Sequence, residues 1–112
     1  MVVIRHEQRG RVCVVTPHGD IRVGPTDVQF RDEIRDLMAQ GKTFLVIDFS
    51  RVEFIDSTGL GDLAGLRAAA VKAGGNVKLA GMSKRLNDLL TLTRMDLVFE
   101  IFPTADEAVA SY

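Results

Sequence analysis

The sequence predicts one α/β domain over residues 1–112, with a mixed, mostly parallel sheet flanked by about four helices in the order ββαβαβαβα. Three observations carry this expectation. Phe44-Leu45-Val46-Ile47-Asp48-Phe49 is a nearly unbroken apolar run of strand length, the pattern of a strand buried on both faces. Strand-like runs then alternate with segments of helical period, as β-α-β crossovers require. Two further β-rich runs near the N-terminus surround Arg9-Gly10 and read as an antiparallel pair at the sheet edge.

Each element has its own reason. Val2 to Glu7 and Arg11 to Thr16 are the first two strands. Pro17, Gly19, Gly24 and Pro25 mark a loop. Thr26-Asp27-Val28-Gln29 has the form of a capping box, a hydroxyl three residues before Gln. Phe30, Ile34, Leu37 and Met38 follow at helical spacing, and Gly41 supplies the stop. After the strand at 44–49 the chain passes Ser50-Arg51-Val52-Glu53, recovers Phe54 and Ile55, and breaks into Asp56-Ser57-Thr58-Gly59. Asp56 or Ser57 is placed to cap a second helix that runs to Ala73. Leu60, Leu63, Leu66, Ala70 and Val71 fall on its core face, with Arg67 snorkelling at the border. The opposite face carries Gly61, Asp62, Gly65, Ala68, Ala69 and Lys72 and is almost bare of side chain. Helical glycine costs about 1 kcal/mol relative to alanine, so two of them reflect either tolerant positions or a smooth face for another protein's backbone. Gly74-Gly75 ends this helix. Val77 and Leu79 form the next strand, Ser83 caps a helix carrying Leu86, Leu89 and Leu90, and Arg94-Met95-Asp96 turns the chain. Phe99 to Phe102 is the last strand, and Thr104-Ala105-Asp106-Glu107 is a second capping box that opens a short final helix. Each crossover is expected to be right-handed.

Composition bounds the function. The chain is 46% hydrophobic and 26% charged, ordinary for a globular domain large enough to bury a core. A net charge of -1 argues against nucleic acid, which needs a basic patch. No apolar run approaches membrane-spanning length, and the N-terminus has no signal-peptide pattern. The single Cys13 lies in an apolar run and reads as a core hydrophobe; a reducing cytoplasm fits best.

Catalytic parts are incomplete. His6 and His18 are isolated, without zinc spacing, and His18 reads as structural or surface; no metal and no cofactor are implied. Asp-Ser-Thr-Gly is not a nucleophile elbow, and neither histidine has an orienting partner for Ser57. Ala73-Gly74-Gly75-Asn76 sits at a helix C-terminus, the wrong end for phosphate. Asp48 lacks the acidic neighbours that a receiver-type phospho-aspartate needs around its cation. What remains is a serine at a helix N-terminus. It is either a helix cap or a phosphorylation site. A phosphoserine adds roughly -1.5 to -2 charge, which the free N–H groups and dipole of that helix end favour, although adjacent Asp56 would repel it.

Around this motif the chain resembles the STAS family (sulfate transporter and anti-sigma factor antagonist domains), and in particular its free-standing bacterial anti-sigma factor antagonists. The resemblance rests on Leu45 to Phe49, on Phe54-Ile55-Asp56-Ser57-Thr58-Gly59-Leu60-Gly61, on Ala73-Gly74-Gly75, and on Leu79 with Gly81. It continues through Leu89 to Thr93 and Phe99 with Phe102-Pro103, so it covers nearly the whole chain. It implies a partner switch rather than an enzyme. The unmodified antagonist binds an anti-sigma factor that is also a serine kinase of the histidine-kinase-like ATPase fold, and the sigma factor is released. Phosphorylation reverses binding, and a metal-dependent serine/threonine phosphatase resets the switch. The acceptor implied is Ser57, with Thr58 second because it would lie deeper in the turn. The implied partner surface comprises Asp20, Arg22, Asp56, Ser57, Thr58, Gly59, Leu60, Gly61, Asp62, Gly65, Ala68 and Ala69. Nucleic acid and membrane are not expected as partners, and the free protein is expected to be a monomer. The alternatives are a STAS scaffold or transporter accessory subunit without a phosphate cycle, and a small α/β hydrolase or nucleotide-binding enzyme. The last lacks its supporting histidine or phosphate loop.

Two departures from the family pattern stand out. Gly19-Asp20-Ile21-Arg22 replaces the frequent Gly-Glu-Leu-Asp, placing a base where an acid is usual. Arg22 is either a solvated loop residue or lies close enough to Ser57 to meet its phosphate or alter kinase recognition. Arg94 stands where a turn glycine is common.

Overall fold

Because side chains alternate along a strand, a strand apolar at every position must be covered on both faces. The computed structural model, which describes residues 3–22 and 24–112, shows how this is achieved. The elements are β1 (Val3–Arg9), β2 (Val12–His18), α1 (Pro25–Ala39), β3 (Phe44–Asp48), α2 (Ser57–Lys72), β4 (Asn76–Ala80), α3 (Lys84–Leu92), β5 (Ile101–Phe102) and α4 (Ala105–Ala110). The sheet order is β1-β2-β3-β4-β5, antiparallel at β1–β2 and parallel thereafter.

Strands added one after another in a single direction, with crossovers of one hand, send every crossover helix to the same side. Phe30, Ile34 and Leu37 of α1, Leu60, Leu63, Leu66 and Ala70 of α2, and Leu86 and Leu90 of α3 share one core with Cys13, Val15, Leu45, Ile47, Val77 and Leu79 of the strands. The alternate residues Val12, Val14, Val46 and Ala80 face the other way and pack with Ala108 of α4. Among the described residues, the short α4 and the chain end after it cover the second face over β3, β4 and the start of β2, and they leave β1 and the end of β2 open.

The second face carries two features that alternation did not reveal. Lys78 of β4 is buried beneath the C-terminal end of the chain. Its ammonium donates to the Ser111 carbonyl at 3.1 Å and hydroxyl at 2.8 Å and lies 4.2 Å from the Tyr112 ring centroid. The Tyr112 hydroxyl lies 2.5 Å from the Leu45 carbonyl and 2.9 Å from that of Asn76. Burial pushes the Tyr112 phenol well above its usual range.

Several boundaries differ from those read in the sequence. Val2, expected to open the first strand, lies outside the described residues. β1 and β2 extend to Arg9 and His18, so Pro17, expected in a loop, lies within β2. It falls beyond Val15–Ile47, the last β2–β3 pair, where the ladder needs no donor from it on that side. The first capping box does not form: Gly24 is the N-cap of α1 and Pro25 its first residue. The Thr26 hydroxyl instead donates to the Arg22 carbonyl at 3.0 Å and accepts from the Arg22 N–H at 3.3 Å. The second box is formed on its threonine side, the Thr104 hydroxyl accepting from the Glu107 N–H. Ser83 caps α3 as expected. The last strand is shorter than expected, because a single 3-10 turn at Met95–Leu97 keeps the chain curling as far as Phe99, whose N–H donates to the Met95 carbonyl. Arg94 opens that turn at φ 62, the left-handed conformation that favours glycine.

Candidate functional site

Beyond β2 and β3 the two chains stay paired. Gly19 donates to the Arg51 carbonyl at 3.1 Å, Ile21 to that of Phe54 at 3.0 Å, and Asp56 to that of Ile21 at 3.1 Å. Ile21 and Ile55 form a parallel bridge and both are fully buried. The two loops are thus pinned side by side, and they deliver the chain to the N-terminus of α2 from a fixed direction.

Asp56 caps that helix. Its backbone is extended (φ -89, ψ 177) and its Oδ1 accepts the Gly59 N–H at 2.9 Å. Ser57 is the first helical residue and is exposed. Of the two caps the sequence allowed, the structure selects Asp56, and the Ser57 hydroxyl makes no hydrogen bond among the described residues. Thr58 is equally exposed. The expectation that depth in the turn separates the two hydroxyls is therefore not met, because at 100° per residue both point outward from the first turn.

The next two residues face inward. A Cβ at Gly59 would lie 2.8 Å from Ile55 Cγ1 and 3.2 Å from Ile21 Cγ2, so this glycine is what allows the helix to sit on the bridged loops. Leu60 is only 2% exposed, inside the main core. Neither presents a side chain to a partner, which corrects their placement on the expected partner surface. Asp62 is also displaced from it: the side chain is half-buried against α1, with Oδ2 3.9 Å from Arg31 Nη1. Val71, expected on the core face, is 46% exposed, because Ala70 and Leu66 take the inward positions around it. Gly61, Gly65, Ala68, Ala69 and Lys72 do form an exposed outer face that continues from Ser57 and Thr58. A Cβ at Gly61 or Gly65 would meet nothing within 4 Å, so the chain's own packing does not require either glycine.

The pinned loop holds Asp20 and Arg22. The Arg22 guanidinium donates to Asp20 Oδ2 at 3.2 Å and lies 4.2 Å from the Phe54 ring centroid. It is stacked beside the chain that leads to Ser57 rather than solvated at random. Phe54 itself borders a groove of about 530 Å³ against α3, lined also by Leu86, Leu89 and Leu92. Sequence reasoning missed this apolar surface. The signal available was alternation: with Ile55 inward, Phe54 must point out.

Behind the site lies a pair of carboxyls that periodicity did not reveal. Asp27 of α1 is 4% exposed, and its Oδ1 and Asp62 Oδ2 are both buried without a hydrogen-bond donor. Burial first, then the hydrogen bond and charge of Asp62, push the Asp27 carboxyl up to about 6, against the opposing pull of Arg31. Below about pH 6 a proton on the Asp27 carboxyl supplies the missing donor. Asp56 adds to the same field, which links this pair to the first turn of α2.

The site is thus the end of a sheet, two pinned loops and a helix whose first turn presents two exposed hydroxyls, without a hydrogen bond among the described residues, beside a smooth outer face. Residues 3–108 match the STAS domain model, and the chain belongs to that family. Among its relatives, a protein of Thermotoga neapolitana described as an anti-sigma factor antagonist homologous to TM1081 is 22% identical over 98 residues, covering 88% of this chain and 87% of the relative. The crystal structure of TM1081 from Thermotoga maritima, also described as an anti-sigma factor antagonist, superposes with a TM-score of 0.90 at 22% identity, over 96% of this chain and 92% of that one. An anti-sigma factor antagonist from Mycobacterium paratuberculosis gives 0.86 at 27% identity, over 99% and 93%. Among the described residues no helix is long and apolar enough to cross a membrane, and no group of three or more His, Cys, Asp or Glu side chains is placed to hold a metal.

Proposed function

We propose that this protein is an anti-sigma factor antagonist and that its binding is switched by phosphorylation of Ser57. The observation that carries this reading is the division of labour at the first turn of α2. Asp56 already caps the helix, so the exposed Ser57 hydroxyl has no structural task and is open to modification. The N–H groups of Ser57 and Thr58 have no intrahelical acceptor, so a phosphate there meets donors and the positive end of the helix dipole without unfolding the chain. Its effect falls on a partner instead. A bulky dianion stands where the partner packs against Gly61, Gly65, Ala68 and Ala69, with Asp20 and Arg22 at one side. The partner is a serine kinase of the histidine-kinase-like ATPase fold that also acts as the anti-sigma factor, and a metal-dependent serine/threonine phosphatase reverses the modification. The antagonist itself is a non-enzymatic binding protein of the cytoplasm, and a monomer when free.

The reading is tested by affinity for such a kinase from the same genome. Ser57→Asp is expected to abolish the complex and Ser57→Ala to preserve it. Equal binding by both variants overturns the switch.

A further inference from the structure

The half-open second face of the sheet forms a polar groove of about 620 Å³, within the range of small-molecule sites. Antiparallel register sets its contents. Arg5 pairs with Thr16, Glu7 with Val14 and Arg9 with Val12, so these side chains share the face on which Val12 and Val14 pack under α4. Asp48, Ser50 and Arg51, at the end of β3 and in the loop after it, wall one side, and α4 walls the other. The loop wall is fixed: the Arg51 carbonyl accepts from Gly19, one residue past His18, and Asp48 Oδ1 accepts the Ser50 N–H at 3.0 Å.

Charges divide the groove into two ends. Toward α4, Arg9 is held by Asp106 at 2.7 Å and by Glu7 at 4.0 Å, so that end carries no excess positive charge. At the other end Arg5 and Arg51 make no ion pair among the described residues; Asp48 in the loop wall accepts from its own turn, and Glu7, two residues along β1 from Arg5, lies toward Arg9. Two free guanidiniums, the His18 ring and the Thr16 and Ser50 hydroxyls therefore line one concave space built on fixed backbone. Guanidinium forks suit phosphate oxygens, and the hydroxyls add neutral donors.

We propose that this groove binds a small phosphate-bearing anion through Arg5 and Arg51, with His18, Thr16 and Ser50 completing the contacts. The site is independent of the Ser57 switch: α2 packs on the opposite face of the sheet, so occupancy here leaves its outer surface free. A strand face that is merely solvated has polar side chains too, but it has no reason to bind an anion saturably.

The test is an amide NMR titration of the full chain with inorganic pyrophosphate at fixed ionic strength. Saturable shifts are expected at Arg5, Thr16, His18, Ser50 and Arg51. Arg5→Gln and Arg51→Gln should each weaken binding about tenfold, the scale of one charge-assisted contact. Asp48→Asn keeps the Oδ1 acceptor for Ser50, removes a repelling charge, and should tighten binding. Arg35→Gln, at an exposed position of α1, should change nothing. Shifts that grow linearly without saturation, that fall equally in the Arg35 variant, or that centre on the first turn of α2 overturn the proposal. Arg5 and Arg51 are exposed and unpaired, so their variants are expected to keep the wild-type melting temperature.

Discussion

Asp56 and Ser57 are adjacent, polar and small, yet their tasks separate once the backbone is known. The Asp56 carboxylate satisfies the Gly59 N–H and so carries helix stability, whereas the Ser57 hydroxyl satisfies nothing among the described residues. Asp56→Ala should cost about 1 kcal/mol, while Ser57→Ala should stay within about 0.5 kcal/mol of wild type, both read from chemical denaturation midpoints. Comparable losses in the two variants would return the capping role to Ser57. Asp27 gives a residue-scale prediction with a sign. Its carboxyl is raised from 3.8 to about 6, so the fold favours the protonated form. That stabilising contribution is complete below pH 3.8, shrinks as pH rises through about 6, and is gone above it. Asp27→Asn keeps a donor for Asp62 without the charge. It should raise stability at pH 8 by roughly 1–3 kcal/mol and flatten the profile between pH 4 and 7, as measured by melting temperature against pH. A variant less stable than wild type at pH 8 would contradict this account. Arg94 was legible as a departure from a glycine position, and its φ of 62 gives the physical reason that glycine suits the turn.

At the scale of elements, α2 is a helix with two unrelated faces. Leu60, Leu63, Leu66 and Ala70 hold it to the sheet, and Gly61, Gly65, Ala68 and Ala69 face outward, the two glycines with no packing reason to be small. Gly65→Leu should therefore leave the isolated domain as stable as wild type, or more stable by up to about 1 kcal/mol from helix propensity. The same change should weaken binding to the proposed anti-sigma factor partner more than tenfold by titration calorimetry. Unchanged affinity would mean that the partner does not approach this face. The helical period located both faces in advance. It misplaced Val71 and Asp62, because which residue at the border of an arc turns inward depends on the neighbouring helix. Asp62 is drawn to Arg31 of α1 across a helix pair whose register no local pattern records. Motif reading likewise grouped Leu60 with the partner surface, although within Asp-Ser-Thr-Gly-Leu-Gly only the positions off the core side of the wheel reach solvent. The first capping box failed for a similar reason: Pro25 pre-sets the first helical turn two residues earlier and leaves Thr26 to bond Arg22.

Across the whole molecule, the run at 44–49 and the alternation of element types made the mixed, mostly parallel sheet, the chain order of its elements and the place of Ser57 at a helix N-terminus legible, since each follows from local periodicity; the lateral order of the strands came only from the structure. The second face was not legible. It depends on Lys78 and Tyr112 meeting across 34 residues of sequence, and on a short α4 that covers only part of the sheet and so leaves the Arg5–Arg51 groove open. The resulting architecture separates the buried core from the face proposed for binding. The core is closed beneath α2, the loops at 19–22 and 51–56 are pinned, and the one face left smooth begins at an unengaged serine. The account predicts that phosphate at this point changes binding and leaves the fold intact. The most direct measurement is to incubate the protein with the serine kinase proposed as its partner and ATP, map the modification by mass spectrometry, and follow the complex by size-exclusion chromatography. One phosphate on Ser57, loss of the complex and an unchanged circular dichroism melt are the predicted result. Phosphate on another residue, or a complex that survives full modification of Ser57, would contradict it.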